Sequence, residues 1–304
     1  MYTQGVGCST PPKMPKSKIN SGLLTEYFAS QPEKVFTDSD LEFLFIQRSC
    51  DWNLPRSMTP FTFIRMLLSR TKLEKLPIRS THYSSPVRYG WESKPSPLAV
   101  ALSLRKHQAF FSHASAMWLH ALSDESKYIY LNSEQSKKPK NSGSLVQKAI
   151  DRAFQNQQRR SKLFYKYQGS TITLLNGKHT GRIDVMAMKA PTGQDIELTS
   201  IERTLIDITV RPAYSGGVPH VLEAYKRARD HISVPKLLAL LAEFDYTYPY
   251  HQSIGFYLKR AKYPKSDQLL ARANGVNLNF YLCHGLRNPA FDVDWKIFFP
   301  QSLM

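Results

Sequence analysis

Acidic residues are scarce in this chain: 24 Asp and Glu stand against 41 Lys and Arg among 304 residues, a formal net charge of +17. A surplus of that size points to a polyanionic partner, either nucleic acid or an anionic membrane surface. Cysteine is scarcer still. Cys8, Cys50 and Cys283 are far apart and form no C-x-x-C pair, which excludes a disulfide framework and a zinc knuckle and leaves free thiols in a reducing compartment. There is no apolar run long enough to span a bilayer. The first twenty residues are dominated by Gly, Ser, Pro and Lys rather than by a leader pattern, so a soluble, cytoplasmic protein without a membrane partner is expected. Phosphate-cradling loops of the G-x-x-x-x-G-K-[ST] and G-x-G-x-x-G types are missing, and Ser215-Gly216-Gly217 is too short to hold a nucleotide. No cofactor is implied.

The length suits two or three compact units, read here as a small head and a larger body. Residues 1–20 are polar and basic and cannot support a core, so a disordered arm is expected. Helical periodicity then covers residues 22–30. Ser39 and Glu42 have capping-box spacing ahead of a second helix at 39–50, and Thr59-Pro60 has the N-cap and first-turn pattern of a third at 60–73. Residues 76–91 carry β-branched and aromatic residues on either side of Ser84-Ser85-Pro86, a hairpin pattern. Three helices closed by a hairpin is the winged-helix order, assigned to residues 21–95. Residues 96–304 form the body. They open with helical spacing over 96–122, interrupted near His107, followed by a strand at 128–132 and a long polar loop or linker at 133–144. A basic segment at 151–162 leads to strands at 163–175 and 182–190. Thr199 and Glu202 have capping-box spacing for a helix at 200–210. Helices at 218–231, 235–244, 251–261 and 265–273 and a terminal strand pair at 278–284 and 295–299 complete the chain. The fold class is α+β: an N-terminal winged helix-turn-helix followed by a larger mixed α/β C-terminal domain.

Positive charge is concentrated in the head. Residues 48–106 hold eleven basic side chains (Arg48, Arg56, Arg65, Arg70, Lys72, Lys75, Arg79, Arg88, Lys94, Arg105, Lys106) against Asp51, Glu74 and Glu92. In the third helix Thr62, Arg65, Ser69 and Lys72 share one face, and Phe61, Ile64, Leu67 and Leu68 form the apolar stripe. Arg65 can take a guanine edge bidentately, Thr62 and Ser69 can reach bases or phosphates, and Arg70 and Lys72 can neutralise backbone charge. The wing supplies Arg79, His82, Tyr83 and Arg88. The plain alternative is a solvated helix face, which the adjoining helices and hairpin weigh against.

Enzymatic patterns are weaker. His113 and His120 are spaced for one helical face, without the H-E-x-x-H pattern or a third ligand, and fit core or capping roles; no metal is implied. Asp184 and Glu197 have the spacing of nuclease carboxylates, but Thr199 stands where such sites carry lysine. Phe164, Tyr165 and Tyr167 beside Lys162 and Lys166 have a composition used to stack unpaired bases, though aromatic strands more often face a core. Glu202, Arg203 and Asp207 are placed to form a charge network opposite Ile201, Leu205 and Ile208, positioning the loop at 212–217.

Three stretches, FSHASAMWLHAL at 111–122, SIERTLIDITVRPAYSGGVPHVLEAYKRA at 200–228 and YPYHQSIGFYLKRA at 248–261, resemble the AbiEi-type antitoxin family of bacterial type IV toxin–antitoxin systems, which act in phage defence. The resemblance implies a winged helix that binds operator inverted repeats in double-stranded DNA and represses its own operon. It also implies a C-terminal domain that counteracts an operon-encoded nucleotidyltransferase-like toxin without a tight complex, and no catalysis. Carried onto this chain, DNA contact falls on Arg56, Thr59, Thr62, Arg65, Ser69, Lys72, Arg79 and Arg88, to which the reading of the helix and wing adds Arg70 and His82. Antitoxicity falls on the region of Glu202, Arg203 and Asp207. The competing expectations are a metal-dependent nuclease and an RNA-binding component of a defence system.

Overall fold

The computed structural model describes residues 19–31, 34–92, 94–105, 108–139 and 144–304. All but two residues of the expected basic arm, together with Cys8, Lys106, His107 and part of the 133–144 loop, lie outside the described residues. The chain divides into two units. One holds the residues up to Leu76 and Val87–Pro95, and the other holds Pro77–Pro86 and Ser96–Met304. The segment expected to form the wing tip is therefore part of the larger unit.

In the smaller unit, α1 (Ser21–Ala29), α2 (Asp38–Arg48) and α3 (Pro60–Arg70) precede the antiparallel strands β1 (Leu73–Lys75) and β2 (Tyr89–Trp91). The capping box of α2 is formed by Thr37 and Asp40, not by Ser39 and Glu42: Thr37 Oγ1 accepts from the Asp40 amide at 3.1 Å, and Asp40 accepts from the Thr37 amide at 2.8 Å. Thr37 has extended backbone angles, so the cap lies two residues earlier than the spacing suggested. Between α1 and α2, Phe36 bridges to Tyr89 and adds one residue of a third strand. The core is aromatic. Phe28 stacks on Trp91 at 4.9 Å and Trp52 on Phe63 at 5.8 Å; the burial of Trp52 ties the long α2–α3 connection to the helices it joins.

The larger unit is built on a six-stranded sheet of β3 (Phe110–Phe111), β4 (Tyr128–Glu134), β5 (Phe164–Tyr167), β6 (Ser170–Gly177), β7 (Val185–Lys189) and β8 (Asp195–Thr199), in the order β5-β6-β4-β3-β8-β7. The β4–β6 and β3–β8 pairs are parallel and the others antiparallel. The stretch read as one strand at 163–175 is a hairpin, turned at Gln168 and Gly169, whose φ angles are 48° and 78°. Two successive residues with positive φ match the twist of a tight hairpin. Residues 96–122 are likewise divided, into α4 (Pro97–Leu104), β3 and α5 (His113–Leu119). The two residues of β3 are fully buried between β4 and β8, and so short an apolar pair carries no alternation to mark it as a strand. A helix, α6 (Gln147–Gln155), also runs into the first residues of the basic segment, held by Ile150 and Phe154.

Helices α7 (Ile201–Val210), α8 (Val218–Ala228), α9 (Val234–Glu243), α10 (Tyr250–Arg260) and α11 (Lys265–Arg272) pack around a common core that includes Leu205, Val221, Leu237 and Ile254. Tyr225 stacks on Tyr257 at 5.0 Å, and its hydroxyl lies 2.9 Å from Thr209 Oγ1. Strands β9 (Phe280–Tyr281), β10 (Ala290–Asp292) and β11 (Ile297–Phe299) make a three-stranded sheet. Trp295, in the turn before β11, lies flat against Gly255 of α10: a Cβ there would sit 2.2 Å from the indole. The architecture is thus mixed α+β, and no helix among the described residues is long and apolar enough to cross a membrane.

Candidate nucleic-acid interface

Helix α3 starts where a reciprocal cap can form. Thr59 Oγ1 accepts from the Thr62 amide at 3.3 Å and Thr62 Oγ1 accepts from the Thr59 amide at 2.8 Å. Both hydroxyls therefore serve the helix terminus while remaining exposed. Phe63, Ile64 and Leu67 enter the core. Phe61, expected on the apolar stripe, is instead 70% exposed, because at about 100° per residue it sits roughly 110° from the centre of that buried face. Thr62, Arg65 and Ser69 point away from the core as expected. Arg56, Arg65 and Arg70 are exposed and engage in no ion pair among the described residues. Ser69 Oγ donates to the Met66 carbonyl at 3.2 Å.

The remaining expected contacts are placed differently. Lys72 lies beyond the end of α3 and pairs with Glu92. Arg88 is half-buried and donates to its neighbour's carbonyl, Val87 O, at 2.7 Å. Arg79 and His82 are in the larger unit, where the Arg79 backbone exchanges hydrogen bonds with Lys166 of β5 at 3.0 and 2.7 Å and the His82 ring meets Phe164 edge-on.

The Glu202, Arg203 and Asp207 trio divides into two clusters. Ser200 Oγ, not a Thr199–Glu202 box, caps α7 by accepting from the Arg203 amide. Thr199 is committed to Thr204 at 2.7 Å. Glu202 accepts from Lys236 Nζ at 3.1 Å and from the Ser233 amide at 3.3 Å. Arg203 is buried, and it pairs with Glu134 at 3.1 Å and donates to the Ile183 carbonyl. Its guanidinium lies between the rings of Phe110 and Phe244, at 5.0 and 5.2 Å. Glu134, the last residue of β4, falls in the stretch read as loop, and its part in the network had no sequence signal beyond the preceding YIYLN strand. Burial alone would raise its pKa, but hydrogen bonds from the Thr180 hydroxyl and amide, Arg203 and the Arg182 amide hold it below the usual value. Asp207 has no such donors among the described residues. Burial pushes its carboxyl up to about 6 against the pull of Arg203, and among the described residues both Asp207 Oδ2 and Arg203 Nε are buried without a hydrogen-bond partner.

A pocket of about 360 Å³ opens beside Glu134, walled by Gln108, Gln135, Ser136, His179, Gly181 and Arg182. The paired nuclease carboxylates are held by different cations: Asp184 by Lys236 at 3.1 Å, with Ser200 donating to it, and Glu197 by Arg182 at 2.7 Å. His113 and His120 also part company. His113 is packed against Tyr130 and Tyr214, and burial with nearby Arg211 and Arg203 lowers its pKa to about 3. His120 Nε2 lies 2.7 Å from the Thr199 carbonyl. Among the described residues no three His, Cys, Asp or Glu side chains are grouped to hold a metal ion.

No family model matches the chain, and no curated protein matches it.

Proposed function

We infer that this chain is a DNA-binding repressor of the antitoxin type, acting without a catalytic step. The observation that carries the reading is α3, which buries Phe63, Ile64 and Leu67 and turns Arg65 outward. Arg56 before it and Arg70 at its last turn are likewise uncommitted to any ion pair among the described residues. An exposed, unpaired arginine on an anchored helix can take a guanine edge bidentately, and its neighbours can neutralise phosphates.

The order of elements supports a winged helix-turn-helix: a helix, the bridging residue Phe36, two helices, then the β1–β2 pair. The antitoxin part, with a nucleotidyltransferase-like toxin as functional partner, rests on the resemblance of residues 111–122, 200–228 and 248–261. Within it, the burial of Arg203 and of the Asp207 Oδ2 atom supports a role in shaping the body over direct contact with a partner.

The test is a gel shift of the full chain on its own upstream DNA against unrelated duplex of equal length. A preference of about a thousandfold at physiological salt is expected. Equal, salt-sensitive binding to both would reduce the charge to a non-specific handle and overturn the reading.

A further inference from the structure

The two faces of the six-stranded sheet differ at its β5 end. Directly opposed residues on neighbouring strands point to the same side, and side chains alternate along each strand. Arg79 is opposed to Lys166, Lys166 to Thr171, and Thr171 to Tyr128. These four therefore form one row across three strand spacings, about 14 Å. Arg79, Lys166 and Tyr128 are exposed, the tyrosine by 48%. The Lys127 ammonium sits 5.6 Å from the centre of the Tyr128 ring. Phe164, two residues before Lys166, shares this side with Thr173 and Tyr130, which are buried, so the exposed part of this face is its end row; Tyr165 and Tyr167 point to the other side, where Ile129, Ile172 and Tyr167 are buried. None of Arg79, Lys127 and Lys166 is in an ion pair among the described residues.

We propose that this row binds a single-stranded polynucleotide. Arg79 and Lys166, side by side on neighbouring strands, neutralise phosphates, Lys127 adds a third positive charge, and the Tyr128 ring offers a platform for an unpaired base. An exposed row at the end of a sheet, carrying an aromatic ring among cations, suits bases that are free to splay, since a duplex hides their flat faces in its own stack. The row shares no residue with α3, so Tyr128→Ala and Arg65→Ala test single-strand and duplex recognition separately.

Fluorescence anisotropy of the full chain with labelled oligouridylate and oligothymidylate of about 12 nucleotides tests this. Tyr128→Ala and Lys166→Ala are each expected to weaken binding about tenfold. Lys166→Ala also lowers the salt slope by about 0.7, Lys166→Arg restores it, and Arg65→Ala leaves single-strand binding unchanged. A difference between the two oligomers identifies RNA or DNA as the natural strand. The proposal is overturned if neither oligomer binds, if both alanine variants bind like the parent chain, or if Arg65→Ala alone abolishes binding.

Discussion

Replacing Asp207 by Asn should make the chain more stable near neutral pH and not in acid. The carboxyl titrates at 3.8 in an unfolded chain and at about 6 in the folded one. Between those values the folded state keeps a proton that the unfolded state has released, so this group's contribution is complete below pH 3.8 and lost as pH rises through 6. A shift of about 2 units corresponds to about 3 kcal/mol. Asn cannot ionise, and Glu134 still balances Arg203. The gain of Asp207→Asn over the parent chain should therefore grow by about 2 kcal/mol from pH 4 to pH 7, since part of the total is already lost at pH 4. His113 acts in the opposite sense: its folded pKa of about 3 against 6.5 removes stability as pH falls below 6.5. Because that term is common to both proteins, it cancels in their difference. Urea unfolding followed by circular dichroism at several pH values measures the difference directly. A gap that stays flat between pH 4 and pH 7 would refute the assignment of a buried, weakly compensated carboxyl.

Three further outcomes are expected. Arg203→Met leaves the Glu134 carboxylate buried without its guanidinium, and should cost about 3–5 kcal/mol in the same unfolding assay. Gly255→Ala drives a methyl group into the Trp295 ring and should lower stability by about 1–3 kcal/mol, seen as a reduced melting temperature; an unchanged value would mean the indole can withdraw. Arg65→Ala should weaken operator binding by about 1–3 kcal/mol with the fold intact, and an unchanged gel shift would show that another helix reads the DNA.

The α3 surface was largely legible in the sequence, because a cap and a helical face are written in residues three and four apart. Thr59-Pro60 marks the start, and Thr62, Arg65 and Ser69 emerge on one side with Ile64 and Leu67 opposite. Phe61 was misplaced since its angle lies near the edge of the apolar stripe, where neighbouring packing decides between core and solvent. Helices α7 to α11 follow the same local logic, and their boundaries differ from the periodicity by a few residues.

Local pattern by itself determined α1 to α3, α7 to α11 and the α+β class, but not α6 or the division of residues 96–122. The tertiary structure alone decided which distant groups meet. Glu134 finds Arg203 across 69 residues, β3 earns its place only between β4 and β8, and Pro77–Pro86 leaves the hairpin's own unit for the edge of β5. Such pairings carry no period in the sequence. They follow from burial, which makes an unpaired charge or an open strand edge costly and so selects the partner that satisfies it.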